Sequence, residues 1–341
     1  MGHKKRTKQK DLHQQAYDRL IGMQHFGDSK REDKLYDREH DTDIVSGKIY
    51  SFSTYKTYWK HIKYFVKWVR TEYPDCRRLD SAEKYVSEWL QTRVDEGKSA
   101  WTVQTEESAL NKLYGIKKDD PDRFQPPRRR KEEIVRSRGT KVRDKHFSEV
   151  KNEELIKFCK GCGFRRGVLE KLKGSDLYDR DKVESEMEKA KQEGDESMIR
   201  ICEDALKTFP DQDFFILHLN DKNGKTRIAP IVGPDKEKII QRMKNTKPGE
   251  LVWRYVNQNC DVHSYRADYA TYMYKQYARP VEELDFKHKI RCADGKYKSE
   301  LYICRGDERG KRLDRQAIGV ISVALGHKRE DTAIANYIQD I

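Results

Sequence analysis

The sequence contains no apolar run of about 18 residues, which is the length that a membrane-spanning helix needs. No apolar segment follows the basic residues at positions 1–6, so the pattern of a secretion signal is missing as well. We therefore expect a soluble, cytoplasmic protein. The chain also has no internal repeat.

The sequence lacks a regular cysteine framework. Its 7 cysteines are an odd number, and without a secretion signal this favours reduced thiols over disulfides. Cys159 and Cys162 form the only CxxC, and a zinc site would need two more ligands. Cys292 and Cys304 do not form a second pair at short spacing. We therefore predict no metal site.

Positive charge is in excess. Lys and Arg outnumber Asp and Glu by 71 to 58, which gives a formal net charge of +13 and a pI near 9.2. This excess favours a polyanionic partner, and nucleic acid is the default candidate. The length of 341 residues allows two or three domains. Because 38% of the residues are charged and the mean hydropathy is -1.03, we expect thin cores and large solvated faces.

Residues 1–47 are dense in charged side chains and show little apolar periodicity. We interpret them as a basic N-terminal arm, partly disordered or with one helix around Leu20. The residues leave open whether this arm is a solvated tail or contacts DNA.

Residues 48–123 predict a small helical domain. Apolar side chains recur at helical spacing from Tyr55 to Val69, a second helix is predicted from Asp80, and a third runs from near Thr102 to Gly115. Core packing accounts for the aromatic residues of this segment. The cations at other positions of the first helix are the predicted DNA contacts: Lys56, Lys60, Lys63 and Lys67.

Residues 124–147 predict a basic linker, because two prolines interrupt helix and three arginines follow. We predict that Arg128, Arg129 and Arg130 contact a phosphate backbone, and the alternative is an ordinary charged hinge.

Residues 148–341 predict a second domain that begins with a helix near Asn152 and contains a hairpin with strands at Phe214 and Arg227. A charged helical insertion is predicted at about 178–211 and a hairpin-like insertion at about 285–310. The expected fold class is mainly α with a small antiparallel β-sheet, that is, α+β.

An ordered series of residues in this domain fits one chemistry. Cleavage of a phosphodiester by a tyrosine nucleophile without a metal requires several fixed cations around one phosphorus. Arginine suits this task because its planar fork holds two oxygens at once. Positive charge also lowers the cost of forming a phenolate. The series consists of Arg165, Lys222, His263, Arg266, His327 and Tyr337.

The segment 162–177, with Gly163-Phe164-Arg165, resembles the first-arginine box of the tyrosine recombinases, the phage integrase family. The family's hairpin lysine matches Lys222, for which Lys225 is the alternative. Its His-x-x-Arg matches His263 and Arg266, and a second such string occurs at 288–291.

The family's Leu-Gly-His matches residues 325–327, and its nucleophile matches Tyr337. The helical module at 48–123 is similar to the core-binding domain of the family, so the resemblance covers residues 50–341.

The resemblance implies a role for each residue. Tyr337 attacks the scissile phosphate and forms a 3′-phosphotyrosine without metal, cofactor or ATP. Arg165 and Arg266 hold the non-bridging oxygens, and the three other residues complete the site. His327 donates a hydrogen bond, His263 assists proton transfer at the nucleophile, and Lys222 protonates the 5′-hydroxyl.

The resemblance also implies partners. The family binds duplex DNA as a clamp and assembles four protomers around a four-way junction, so we expect a monomer when free and a homotetramer on DNA. Accessory DNA-bending or directionality factors and a nucleoid location on DNA are part of this expectation. The basic arm favours an integrase of a mobile genetic element over a housekeeping resolvase.

One position departs from the family. Where an acidic residue usually follows the first arginine by three positions, this chain has Val168, so we expect another group to orient Arg165. Two alternative functions remain. A type IB topoisomerase would relax supercoils without exchange, and a catalytically silent architectural protein would bind DNA without cleaving it.

Overall fold

The computed structural model describes residues 10–130, 146–221, 224–292, 295–305, 308–327, 332–334 and 337–338. The chain divides into two compact units, Met1–Glu133 and Ile134–Ile341. Both units are mainly helical, and the described strands form small antiparallel sheets, which agrees with the expected α+β class. None of the described helices has the length and apolar character needed to cross a bilayer.

The described residues of the first unit form helices alone, apart from one isolated bridge between Gln24 and Ile49. Its helices are α1 (Leu12–Gly22), α2 (Lys30–His40), α3 (Ile44–Gly47), α4 (Phe52–Glu72), α5 (Leu79–Ala82), a 3-10 turn (Glu83–Tyr85), α6 (Val86–Asp95) and α7 (Ala100–Tyr114).

Helix α4 is the centre of this unit and packs against α1 and α7. The hydroxyl of Ser51 accepts a hydrogen bond from the amide of Thr54 and caps the first turn. Ile62, Phe65 and Val69 recur at helical spacing and are buried, so the amphipathic pattern predicted for this helix is confirmed. Burial of each such side chain contributes about 1.5–3 kcal/mol.

The sequence predicted the C-terminus of α7 correctly but not the N-terminus of α5. Helix α7 ends at Gly115, which adopts a left-handed φ of 74° as the sequence predicted. The predicted start at Asp80 is wrong, because α5 begins at Leu79 and Asp80 lies in its first turn, where it pairs with Arg19. An acidic residue in the first turn favours the helix through its dipole and resembles a cap in sequence.

Part of the segment interpreted as an N-terminal arm packs into the unit. Leu12, Ala16 and Leu20 of α1 lie four residues apart on one helix face and are all buried. Three apolar residues among many charged ones give a weak sequence signal, yet they suffice for one stripe.

The second unit combines helices with three small sheets. Its elements are a 3-10 turn (Val150–Asn152), α8 (Glu153–Cys162), α9 (Arg166–Leu169), a 3-10 turn (Gly174–Asp176), β1 (Leu177–Asp179), α10 (Arg180–Glu193), α11 (Glu196–Thr208), β2 (Phe214–Asp221), β3 (Lys225–Pro230), α12 (Lys236–Asn245), α13 (Val262–Tyr277), a 3-10 turn (Val281–Glu283), β4 (Lys289–Arg291), β5 (Tyr297–Ser299), β6 (Leu301–Ile303), β7 (Arg312–Asp314) and α14 (Arg315–Ala324).

The main sheet is antiparallel in the order β1-β2-β3, with Ile216 opposite both Leu177 and Ala229. The hairpin β2–β3 confirms the strand pattern read at Phe214 and Arg227. The third strand, β1, was not predicted because three residues carry too little periodicity. The hairpin-like segment near residue 290 forms two hairpins, β4–β5 and β6–β7.

The charged stretch at about 178–211 forms α10 and α11, separated at Gly194, which has a left-handed φ of 72°. The predicted charged helical insertion therefore has an exposed outer face and a buried inner face. Val183, Cys202 and Ala205 are fully buried in the core that also contains Tyr269. One narrow apolar stripe is enough to join the helices to the rest of the unit.

Candidate functional site

Arg266 lies in the first turns of α13, whose N-terminus is capped by the side chain of Asp261. Its side chain is completely buried. One guanidinium nitrogen, Nη1, donates to the carbonyl oxygen of Gly163, and the other, Nη2, donates to that of Leu325 at 2.5 Å. Arg266 therefore joins three segments: the end of α8, the start of α13 and the end of α14.

The structure explains why glycine occupies position 163 in the Gly-Phe-Arg segment. Gly163 ends α8 with a left-handed φ of 61°, and a Cβ atom there would overlap the ring of Tyr269. Its carbonyl oxygen accepts hydrogen bonds from Arg266 and, at 3.3 Å, from Arg227 Nη2. The carbonyl oxygen of Gly163 thus binds two arginines that are distant from it in sequence.

Arg165 follows this turn and begins α9, with 24% of its side chain exposed. It pairs with Asp221, the last residue of β2. The Asp221 carboxylate is almost completely buried, and its Oδ2 also lies 3.5 Å from Nε of Arg227. Asp221 was missed at the sequence level, although it stands directly before the predicted hairpin lysine.

Asp221 takes the place of the acidic residue that the resemblance led us to expect at position 168. Val168 is 5% exposed and belongs to an apolar cluster with Phe158 and Phe164, so it cannot orient an arginine. The carboxylate comes instead from Asp221 at the end of β2, 56 residues after Arg165.

The two neighbouring arginines of the box have different partners. Arg166 donates to the carbonyl oxygens of Asn257 at 3.1 Å, Gln258 at 3.1 Å and Cys260 at 2.6 Å. Arg166 therefore stabilises the loop before α13, whereas Arg165 pairs with the carboxylate of Asp221.

Arg227 and His218 form a buried layer beneath the site, and neither was predicted. Arg227 donates through Nη1 to the carbonyl oxygen of Ala324 and through Nη2 to Nδ1 of His218 at 2.8 Å. Burial and the charge of Arg266 lower the pKa of Arg227 to about 9, so it stays protonated at neutral pH. Burial and the nearby arginines lower the pKa of His218 well below its usual value, so its neutral ring accepts the hydrogen bond.

Tyr337 lies against three of the predicted site residues. Its ring centroid is 5.2 Å from that of His327, 5.0 Å from that of His263 and 5.2 Å from Cζ of Arg266. Tyr337 is 5% exposed, whereas His263 is exposed. The structure thus brings together four residues that the sequence spreads over positions 263–337.

Burial and the positive charge of the arginines together shift the pKa values of this cluster. Burial, followed by repulsion from Arg266 and Arg165, lowers the pKa of His327 to about 3, so its ring is neutral at pH 7. Its Nε2 is buried and has no hydrogen-bond partner among the residues that the structure describes. Burial and repulsion from Arg165 lower the pKa of Arg266 to about 10, and Tyr337 and Asp221 oppose that shift.

Lys222 lies outside the described residues. The alternative, Lys225, begins β3 with an exposed side chain, and its charge contributes to lowering the pKa of His327. In the second His-x-x-Arg string, His288 pairs with Glu300 at 3.0 Å and Arg291 ends β4. That string contributes to the hairpins, and it is His263 that contacts Tyr337.

A cleft of about 380 Å³ opens beside the cluster. It is lined by Arg165, Arg166, His263 and the loop 258–262. A solvent-borne anion can therefore reach Arg165 and His263 directly, while Arg266 and Tyr337 lie behind them. The arrangement suits the binding of a phosphate group and the stabilisation of negative charge on it.

The predicted DNA contacts of the first unit are exposed. The four lysines Lys56, Lys60, Lys63 and Lys67 all lie on the solvent side of α4. Lys63 Nζ lies over the ring of Trp59, 5.7 Å from its centroid, so one of these cations contacts an aromatic face. The linker arginines Arg128, Arg129 and Arg130 are exposed as well, with Arg129 Cζ 5.6 Å from the ring of Trp101.

Cys159 and Cys162 of the CxxC are both buried free thiols, and burial raises the pKa of each well above its usual value. Within the part of the chain that the structure describes, no group of three potential metal ligands occurs. No family model and no curated protein matches this sequence.

Proposed function

We propose that this protein is a site-specific DNA recombinase of the tyrosine recombinase type, acting as an integrase of a mobile genetic element. The observation that carries the proposal is the meeting of Arg266, His327, His263 and Tyr337, with Arg165 in the lining of the adjoining cleft. Joint packing of residues that the resemblance had selected for one reaction is not expected of an unrelated basic protein.

The chemistry follows from the charges. Arg165 is held at the cleft by Asp221 and offers its remaining N–H groups to the non-bridging oxygens of a phosphate. The neutral ring of His327 can donate a hydrogen bond through Nε2, because no protein group of the described residues occupies that atom. Arg266 supplies a buried positive charge behind the phenol of Tyr337.

The reaction exchanges one ester for another. The phenol oxygen of Tyr337 attacks phosphorus, the bond from phosphorus to the 5′-oxygen breaks, and a 3′-phosphotyrosine remains. The phenol proton passes to His263, which is exposed and 5.0 Å from Tyr337 between ring centroids. Lys222, which the resemblance selects, protonates the leaving 5′-oxygen. Reversal on another DNA end rejoins the strand, and the resemblance implies that four protomers perform this on one junction.

Cleavage is tested with nicked duplexes that carry the recombination site, which is first identified by mapping chromosomal junctions formed in cells. Wild-type protein is expected to give a covalent adduct that survives denaturation, and Tyr337→Phe is expected to give none. Tyr255→Phe is the matched control, because Tyr255 is 72% exposed and belongs neither to the cluster nor to the lining of the cleft. Adduct formation by Tyr337→Phe at the wild-type rate would overturn the assignment of the nucleophile.

One observation favours a second candidate, a catalytically silent DNA-binding protein. Arg266 is fully buried, its two Nη atoms are engaged by carbonyl oxygens, and the ring of Tyr337 covers it. Tight DNA binding without any adduct on the nicked substrates would support this candidate. Relaxation of supercoiled DNA without recombinant junctions would indicate a topoisomerase instead.

A further inference from the structure

Two acidic groups of the hairpins between α13 and α14 lie inward. Glu300 and Asp314 are 4% and 0% exposed. Arg279 bridges them, donating from Nη1 to Glu300 at 2.9 Å and from Nε and Nη2 to Asp314 at 2.9 and 3.0 Å. The amide of Asp285 also donates to Glu300, and this bond, followed by the one from His288, holds the pKa of Glu300 at about 2. These carboxylates are therefore neutralised within the protein.

The basic groups of the hairpin β4–β5 lie outward. Lys289 and Arg291 are two residues apart on β4 and both are exposed. Arg291 is directly opposite Tyr297 on β5, which is 68% exposed. Because alternate residues of a strand and directly opposed residues of a pair share a face, these three side chains form one surface. We call Lys289, Arg291 and Tyr297 the hairpin surface.

Neither Lys289 nor Arg291 of the hairpin surface forms an ion pair with a carboxylate of the described residues. Lys287 and Arg312, which are also exposed, add charge of the same sign. The buried acids Glu300 and Asp314 are paired with Arg279 instead.

The spacing of these groups fits a nucleic-acid backbone. Residues two apart on a strand are separated by about 6.7 Å, which is comparable to the separation of consecutive phosphates on one DNA strand. The phenol of Tyr297, opposite Arg291, can donate a hydrogen bond to a phosphate oxygen. All three groups are exposed on one face of the strand pair, so the same backbone can reach them.

The hairpins lie at the end of α13 and α14 that is remote from the candidate site. Helix α13 begins at that site, and the hydroxyl of Tyr274 near its other end accepts the amide hydrogen bond of Asp314 at 2.9 Å. Helix α14 starts directly after β7 and returns over 10 residues to Leu325. Its rise is about 15 Å, and a duplex covers that distance with about four or five base pairs.

We propose that the hairpin surface binds the sugar-phosphate backbone of duplex DNA about half a helical turn from the bond that Tyr337 attacks. This inference rests on the proposed function and adds a second contact region on the same unit. This contact would lengthen the DNA footprint without adding sequence specificity, because all three side chains contact phosphates and not bases.

The test uses the salt dependence of binding to a fluorescently labelled duplex of mixed sequence, which requires no cleavage. Each cation that contacts a phosphate contributes about 0.9 to the slope of log affinity against log salt concentration. The double variant Lys289→Gln with Arg291→Gln is therefore expected to lower the slope by about 1.8. Unchanged circular dichroism would show that the exposed substitutions leave the fold intact.

The matched control is Arg200→Gln with Lys207→Gln on α11. It removes one arginine and one lysine from exposed positions of the same unit, so the change in net charge is identical. We expect its slope to equal that of the wild type. An unchanged slope in the hairpin variant, or an equal change in the control, would overturn the proposal.

The outcomes separate this inference from the proposed function. If the wild-type protein forms no covalent adduct but the hairpin variant has the expected lower salt slope, the recombinase chemistry is rejected and the hairpin contact is kept. If the wild-type protein forms the adduct but the hairpin variant has the wild-type salt slope, only the hairpin contact is rejected. If the hairpin variant instead changed only self-association in sedimentation, the surface would join copies of the chain, and the DNA contact would be rejected.

Discussion

Asp221 shows how one carboxylate can organise several cations. It pairs with Arg165, approaches Arg227 at 3.5 Å and opposes the lowering of the pKa of Arg266. Three arginines at close range repel one another, and a single buried negative charge reduces that repulsion. We regard Asp221 as a positioning residue, because its contact with a substrate would pass through Arg165.

Replacing Asp221 by Asn keeps the shape of the side chain and removes its charge. We expect adduct formation to fall about 100-fold, because a shift of Arg165 by about 1 Å misplaces the phosphate. The free energy of unfolding should fall by about 3 kcal/mol, since Arg227 would keep a buried charge without its partner. Initial adduct rates and urea unfolding measure the two effects, and they are compared at a temperature where the variant is folded.

Glu170→Gln provides the control for this prediction. Glu170 pairs with Arg166 at 3.3 Å on the exposed side of α9, so the same chemical change there should alter neither quantity. Partial recovery of the adduct rate in Asp221→Glu would support a positioning role. A wild-type rate in Asp221→Asn would contradict it.

At the scale of elements, the end of α14 is fixed by the arginines of two other elements. Arg227 from β3 binds the carbonyl oxygen of Ala324, and Arg266 from α13 binds that of Leu325. Cations at this end satisfy carbonyl groups that lack a partner within the helix and interact favourably with its dipole. The position of His327, two residues later, therefore depends on both arginines.

The turn at Gly163 is the second fixed point of this arrangement. Gly163→Ala should destabilise the protein by about 3 kcal/mol, of which 1–2 kcal/mol is left-handed strain and the rest is overlap with Tyr269. Gly194→Ala isolates the strain, because Gly194 has a φ of 72° and open space around its Cα. Urea unfolding of both variants gives the difference, and equal losses would contradict the predicted overlap.

At the scale of the whole molecule, the buried cations link stability to pH. His218 is fully buried, and burial and the arginines lower its pKa well below 6.5. The unfolded chain binds a proton at this residue below about pH 6.5, whereas the native protein does not. The contribution of the neutral ring to stability is therefore complete above that pH and is lost as the pH falls.

We expect the free energy of unfolding to decrease by about 1.4 kcal/mol per pH unit below pH 6 on account of His218. His218→Gln retains an acceptor for Arg227 and should remove this contribution, although it lowers stability at pH 7. Urea unfolding of both proteins between pH 7 and pH 5 is monitored by tryptophan fluorescence and circular dichroism. The two slopes of unfolding free energy against pH should differ by about 1.4 kcal/mol per pH unit. Parallel curves would contradict the prediction.

The sequence was most informative where a periodic pattern was long or a turn residue was specific. Helix α4, the end of α7 at Gly115 and the hairpin β2–β3 were all predicted in this way. Short elements such as β1 and the first turn of α5 were missed or misplaced. Over three or four residues, local propensity differs too little from one state to another to fix a boundary.

The amino-acid sequence by itself determined the basic character of the chain, its main elements and the order of the candidate residues from Arg165 to Tyr337. Only the tertiary structure decided that Asp221 pairs with Arg165, that Arg227 and His218 lie beneath the site, and that Arg166 faces a loop instead. These contacts join positions about 9 to 100 residues apart. Their partners are chosen by packing and by the need to satisfy buried charge, which no local pattern encodes.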